Sequence, residues 1–204
     1  NIKGGHSSLN GNNEILRGII DKEAILSGNA QYTIAKDETF INKGTISPGN
    51  TIGRMVIKGN YMQENDGKID IDFDGNWNHD ILEIIGDAHF SANSSMKLTP
   101  QKSYYGETTK LNTDEFLKVA GKKDGKINNL IFDNHIFASS STIKSVTFDS
   151  TSSQMTVLRN ENAYSKFSQN KNIKDFSKVI DKISNQASGP IKDFVGALDF
   201  SSPA

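Results

Sequence analysis

The chain has 204 residues, with 23 Lys and Arg against 24 Asp and Glu. Its formal net charge of −1 gives no electrostatic argument for nucleic acid or an anionic membrane as partner. Only 35% of it is hydrophobic, less than a compact two-layer domain of this size usually carries and suited to a thin, elongated core. It has no cysteine, which excludes disulfide staples and thiolate metal sites.

No apolar run approaches the roughly 20 residues that span a bilayer as a helix. Nothing at the N-terminus reads as a signal peptide, so an exported protein would need its leader upstream of Asn1.

Residues 15–100 alternate short apolar runs with turn residues. The runs are Ile15-Leu16, Ile19-Ile20, Ala24 to Leu26, Tyr32 to Ala35, Phe40-Ile41 and Thr45-Ile46, then Met55 to Ile57, Tyr61-Met62, Ile69 to Phe73, Ile81 to Ile85, Ala88 to Phe90 and Met96 to Leu98. They are too short for helices and are broken by Asn-Gly, Asp-Gly and Gly-Asn pairs, so strands and turns are expected. A repeat runs through them. Leu26-Ser-Gly-Asn returns as Ile46-Ser-Pro-Gly-Asn, and Phe40-Ile-Asn-Lys-Gly returns as Tyr61-Met-Gln-Glu-Asn-Asp-Gly. A period of about 20 to 23 residues belongs to stacked supersecondary units, none of which can bury its inward side chains alone. Parallel stacking and a hairpin meander both satisfy this pattern.

Within this region the segment GTISPGNTIGRMVIKGNYMQ, Gly44 to Gln63, carries the strongest turn signal. Ser47, Pro48, Gly49 and Asn50 end one extended run and re-aim the chain, because Pro fixes φ and Gly permits a positive φ. Two strand-like runs, Arg54 to Ile57 and Asn60 to Gln63, follow. Gly49 and Gly53 are both expected to hold conformations that other residues resist.

Beyond Asn160 the period changes. Tyr164, Phe167, Ile173, Phe176, Val179, Ile180 and Ile183 recur at steps of three to four, with Lys174, Lys178 and Lys182 on another face, which predicts an amphipathic helix. Gly189-Pro190 opens a second short helix, with Ile191, Phe194, Val195 and Leu198 on one side.

The Gly44–Gln63 segment resembles the signature of autotransporter passenger domains, a Gly-Thr-Leu-Ser-Pro-Gly-Asn-Ser-Ile-Gly run followed by an alternating strand and a Gly-Asn-Tyr or Gly-Asn-Leu strand. Ile46 stands where that run has Leu, and Thr51 where it has Ser. Lys68 to Pro100 is similar to the next part of the passenger pattern, with Asp80-Ile81-Leu82, Gly86, Ala88 and Phe90 in place. Tyr104 to Leu111 and Phe137 to Asn160 continue the likeness to its last strand, MTVLRN, whereas Asp114 to Asp133 departs from the family's spacing.

The resemblance implies an all-β fold: a right-handed parallel β-helix over residues 1–100, a cap or autochaperone-like region over 101–160, and a helical linker over 161–204 leading towards an outer-membrane β-barrel that is absent from this chain. It implies a non-enzymatic part of a passenger that nucleates and caps folding during type V secretion and displays the protein at the bacterial cell surface, or releases it there. The implied partners are that barrel and host surface molecules, with no nucleic acid and no cofactor. The motif residues it singles out are Gly44, Ser47, Pro48, Gly49, Asn50, Gly53, Gly59, Asn60 and Tyr61, in a structural role. Loss of the cap should expose the final coil, and loss of 161–204 should matter much less.

Two other classes compete: a β-helical enzyme cleaving polysaccharide, and a stand-alone adhesin binding host glycan or protein. Asp70, Asp72 and Asp74 followed by Gly75 open like an EF-hand loop, but the twelfth residue, which must be a bidentate acid, is Ile81. Because Ile69, Ile71 and Phe73 alternate with the acids, a strand with a wet acidic face is expected. His6, His79, His89 and His135 lack any Ser or metal spacing that would enlist them in catalysis. Trp77, in a polar turn, fits a packed loop anchor better than a sugar platform.

Overall fold

The computed structural model describes residues 1–201. The protein is mostly β, in parallel sheets, with a short helical segment at its C-terminal end. It divides into two units. The first comprises Asn1–Phe73, Asn78–Thr99 and Asn112–Phe132; the second comprises Asp74–Trp77, Pro100–Leu111 and the chain from Asp133 onward.

In the first unit the chain lays down strands three at a time. The first repeat holds β1 (Gly5–Ser8), β2 (Gly11–Ile15) and β3 (Ile19–Ile20). The second holds β4 (Ala24–Gly28), β5 (Ala30–Ile34) and β6 (Thr39–Asn42), and the third β7 (Thr45–Pro48), β8 (Arg54–Lys58) and β9 (Asn60–Gln63). The fourth holds β10 (Lys68–Phe73), β11 (Ile81–Ile85) and β12 (Ala88–Phe90). β13 (Ser95–Pro100) opens a fifth, and after β14 (Thr108–Lys110), which lies in the second unit, the fifth is completed by β15 (Leu117–Val119) and β16 (Lys123–Asp124). A last strand, β17 (Asn129–Phe132), follows.

Every third strand pairs, so three parallel sheets form with orders β1-β4-β7-β10-β13-β17, β2-β5-β8-β11-β15 and β3-β6-β9-β12-β16. Consecutive strands belong to different sheets. The repeat legible in the sequence is the pairing register itself: Leu26 lies opposite Ile46, Ser27 opposite Ser47, Phe40 opposite Tyr61 and Asn42 opposite Gln63.

Alternation along each strand turns one set of side chains inward, and the register places like on like. Leu26, Ile46 and Ile69 form one buried column, Met55 and Leu82 another, and Tyr32, Ile57 and Ile84 a third. The rings of Tyr32, Phe40, Tyr61 and Phe90 follow one another at centroid separations of 5.7, 6.3 and 5.9 Å. Each fully buried aliphatic or aromatic side chain of this kind contributes about 1.5–3 kcal/mol.

The second unit is built differently. β14 pairs antiparallel with β19 (Gln154–Arg159), which pairs antiparallel with β18 (Ile143–Asp149). Helix α1 (Lys171–Ile183) starts at Asn170, whose side chain accepts from the Asn172 and Ile173 amides; such a cap typically stabilises by about 1 kcal/mol. Helix α2 (Pro190–Asp199) starts after Gly189, at φ 55°, with Pro at its first position. Tyr104, Ala163, Tyr164, Ile180 and Val195 form the core between strands and helices.

A unit boundary falls between Thr99 and Pro100, but the first unit resumes at Asn112 and runs to Phe132, and no unit boundary falls at 160. Parallel pairing continues past 100, with Leu117 opposite Leu82, Ala88 opposite Lys123 and Leu98 opposite Phe132. The tail is no detached linker either, since Ile180 and Val195 are core residues shared with Tyr104 and Tyr164. In the first case the strands, two to four residues long, were too short to show a strand period. In the second, the residues that bury the tail lie far from it in sequence.

Candidate functional site

The nine motif residues all lie in the first unit, around the third repeat, and each meets another repeat. Gly44 follows β6 where a Cβ would collide with the Asp21 and Ala24 carbonyl oxygens. Ser47 and Pro48 end β7 opposite Ser27 and Gly28. Gly49 is in the left-handed region at φ 83°, and its backbone exchanges hydrogen bonds of 2.9 and 3.0 Å with Gly28. Asn50 accepts from the Ser8 hydroxyl at 2.6 Å.

Gly53 departs from expectation, because its φ is not positive. It is glycine because a Cβ there would strike the Asn29 carboxamide and crowd the Gly49 Cα at 2.7 Å. Gly59, at φ 143°, has no room beside the Ile34 Cβ, which would lie 2.7 Å away. Tyr61 is buried, donates to the Gln63 side-chain oxygen at 3.0 Å and accepts from the Asn42 amide at 3.2 Å; burial pushes its phenol pKa up.

Asn60 belongs to a device that recurs at the corners. Its side-chain oxygen accepts from the Asp87 amide at 3.1 Å, and the Asp87 carboxylate accepts from the Lys122 amide at 2.8 Å. At another corner the Asn10 side chain accepts from the Asn29 amide at 2.8 Å, and Asn29 from the Arg54 amide at 3.0 Å. A corner amide has left the strand ladder and would lack a partner, so each of these side chains fills a place that an exposed backbone group would leave to water.

Burial on the acidic strand β10 alternates as expected: Ile69, Ile71 and Phe73 are buried, while Asp70 and Asp72 are half-exposed. Asp70 accepts from the Thr99 hydroxyl at 2.7 Å and from Lys97 at 3.4 Å. The carboxylate of greater interest is Asp80, fully buried, which accepts from the Gly53 amide at 2.7 Å and the Asp72 amide at 2.9 Å. Burial pushes its pKa up to about 8 against the pull of those two N–H groups. Its role is to pin the Gly53 turn to the end of β10. Trp77 sits in the turn Asp74–Trp77 at φ 65°, with its amide donating to the Asp74 carbonyl at 3.1 Å.

The polar centre of the second unit was not identified from sequence. Arg159 and Asp199 form an ion pair at 2.5 Å, with side chains 3% and 1% exposed. Asp199 also accepts from the Tyr164 and Thr142 hydroxyls, each at 2.7 Å. Arg159 reaches the Tyr105 carbonyl at 3.0 Å and the Asn185 side chain at 3.2 Å, with its guanidinium 5.4 Å from the Tyr104 ring centroid. Burial opposes the guanidinium charge, but Asp199 outweighs it and the pKa is held up; Tyr164 is pushed up by burial and by the Asp199 charge. Every strong donor and acceptor here is satisfied and screened from solvent. The arrangement joins β19 to the end of α2.

No protein-family model, curated protein or solved structure compared with the chain gives a significant match.

Proposed function

We propose that the first unit is a right-handed parallel β-helix and that the chain is a C-terminal part of an autotransporter passenger. In this reading it nucleates and caps β-helix folding during secretion, carries no catalysis of its own, and holds the passenger at the bacterial surface. Its immediate partner is the outer-membrane β-barrel of the same polypeptide. The observation that carries the reading is the coincidence of the Gly44–Gln63 turn motif with three parallel sheets in which every third strand pairs in register. A stack of repeats is stabilised mostly by nearest neighbours, so a well-anchored end serves as the place from which pairing spreads.

The test is to express the chain in a bacterium ahead of an outer-membrane barrel and follow protease resistance at the cell surface. The reading requires surface exposure with a C-terminal resistant core that appears before the N-terminal repeats become resistant. Resistance that spreads from the N-terminal repeats instead would overturn it.

A further inference from the structure

We infer that the second unit carries a docking face for an anionic lipid surface, formed by α1 and α2. This goes beyond the passenger reading and does not depend on it. Phe176 and Val179 on α1 are 55% and 52% exposed, Phe194 on α2 is 44% exposed, and the Phe176 and Phe194 rings meet at 6.2 Å. Ile173 and Phe167 extend the apolar area along a groove of about 290 Å³. Large apolar side chains brought together in the open mark an interaction surface, whereas the same residues scattered singly would not.

The charges around this face select the occupant. Lys171, Lys174, Lys178 and Lys182 are all exposed on α1, and Lys166 lies 4.8 Å from the Phe167 ring centroid. Of the acids on these helices, two are turned inward and a third, exposed, is paired. Asp181 accepts from the Tyr164 and Ser165 amides at 2.8 and 3.3 Å, Asp199 is buried on Arg159, and Asp175 lies 3.1 Å from Lys178. Asp193 alone on these two helices stays exposed and uncommitted. The chain's near-zero net charge therefore conceals a local excess of positive charge flanking aromatic and aliphatic side chains. That pairing suits a surface with anionic headgroups over hydrocarbon. With 13 and 10 residues, α1 and α2 are too short to cross a bilayer, so they would lie in its interface.

The test uses the full chain with vesicles of phosphatidylcholine alone or with about 30% phosphatidylglycerol, a content that gives a strongly anionic surface. Sedimentation should show binding to the anionic vesicles at least about tenfold tighter than to the neutral ones, weakened by salt. Replacing Phe176→Ser and Phe194→Ser together should reduce it about tenfold or more, and Lys174→Glu with Lys178→Glu should abolish the preference for anionic lipid. As an independent readout, Phe176→Trp should shift its emission to the blue on anionic vesicles relative to the parent protein. Absence of binding, binding undiminished in the Phe double variant, or an unshifted emission would each overturn the inference. So would a lipid-free dimer dissociated by the same Phe replacements, which would assign the face to a second copy.

Discussion

The two units are held together by opposite strategies. In the first, cohesion is distributed: columns such as Leu26, Ile46 and Ile69 repeat one contact from strand to strand, and corner side chains repeat one hydrogen bond. In the second, cohesion converges on Arg159 and Asp199, through which β19, Tyr164, Asn185 and the end of α2 are joined. The difference teaches where each unit is vulnerable. A repetitive structure loses one layer's contribution when one residue is cut back, whereas a convergent one loses its centre.

The largest expected effect follows from that centre. Arg159→Leu leaves the Asp199 carboxylate buried and unpaired, which should cost about 3–5 kcal/mol. Hydrogen exchange should report the loss in β19 and α1 while β4 to β9 keep their protection. Adding Asp199→Leu should recover most of it, because the uncompensated charge is then gone. A single variant with an unchanged denaturation midpoint would remove the pair from the core.

Ile46→Ala tests the distributed side. With Leu26 and Ile69 still in place, the loss should be about 2–5 kcal/mol, felt across the neighbouring repeats and not in the helices. Equal loss of protection in α1 would mean that the two units unfold as one and would erase the contrast.

Asp80 gives a smaller, graded effect. Its carboxyl, pushed up to about 8, stays protonated in the fold at pH values where an unfolded Asp, near 4, has ionised. Its contribution is present in full below about pH 4, is lost progressively as pH rises and is gone above about pH 8. Tm should therefore carry a falling component across that window. Asp80→Asn should remove this component while lowering stability at acid pH, since its NH2 must face one of the two N–H donors. A parallel pH profile in the variant would show that Asp80 is ionised throughout.

At the bottom of the range, Gly53→Val should cost on the order of 1 kcal/mol or more, through collision with Asn29 rather than through an adverse φ. Gly4→Ala, where a Cβ meets nothing within 4 Å, should leave the midpoint where it was. If Gly53→Val matched that control, the corner contact would not be tight.

Much of the first unit was legible because its repeats spell similar residues at paired positions; aligning Leu26-Ser with Ile46-Ser aligns the strands. β1 was not legible, being Gly-His-Ser-Ser with no apolar alternation, and β15 and β16 were hidden by exposed Lys118 and Lys123 on very short strands. The constraint at Gly53 is not the positive φ expected there, since steric approach from Asn29 leaves no trace in local sequence. Arg159 did leave one. In Met155-Thr-Val-Leu-Arg159 the arginine is in phase with Met155 and Val157, both buried, so it occupies a core position and needs a carboxylate. Which carboxylate, 40 residues away, only the fold supplies.

The corner hydrogen bonds have a direction. In four of them, Asn10 to Asn29, Asn29 to Arg54, Asn60 to Asp87 and Asp87 to Lys122, the accepting side chain belongs to the preceding repeat and the donor is a main-chain amide of the next, whereas Asp80 accepts from the Gly53 amide in the reverse sense. The upper member needs no particular side chain, since every residue except proline offers an N–H. A joint of this kind tolerates recombination: one whole repeat can be duplicated or excised, and the surviving acceptor meets a donor of the same type. The length of the stack is thus free to drift while its joints stay closed, and proline at positions such as 29, 54, 87 or 122 is the substitution that this grammar forbids.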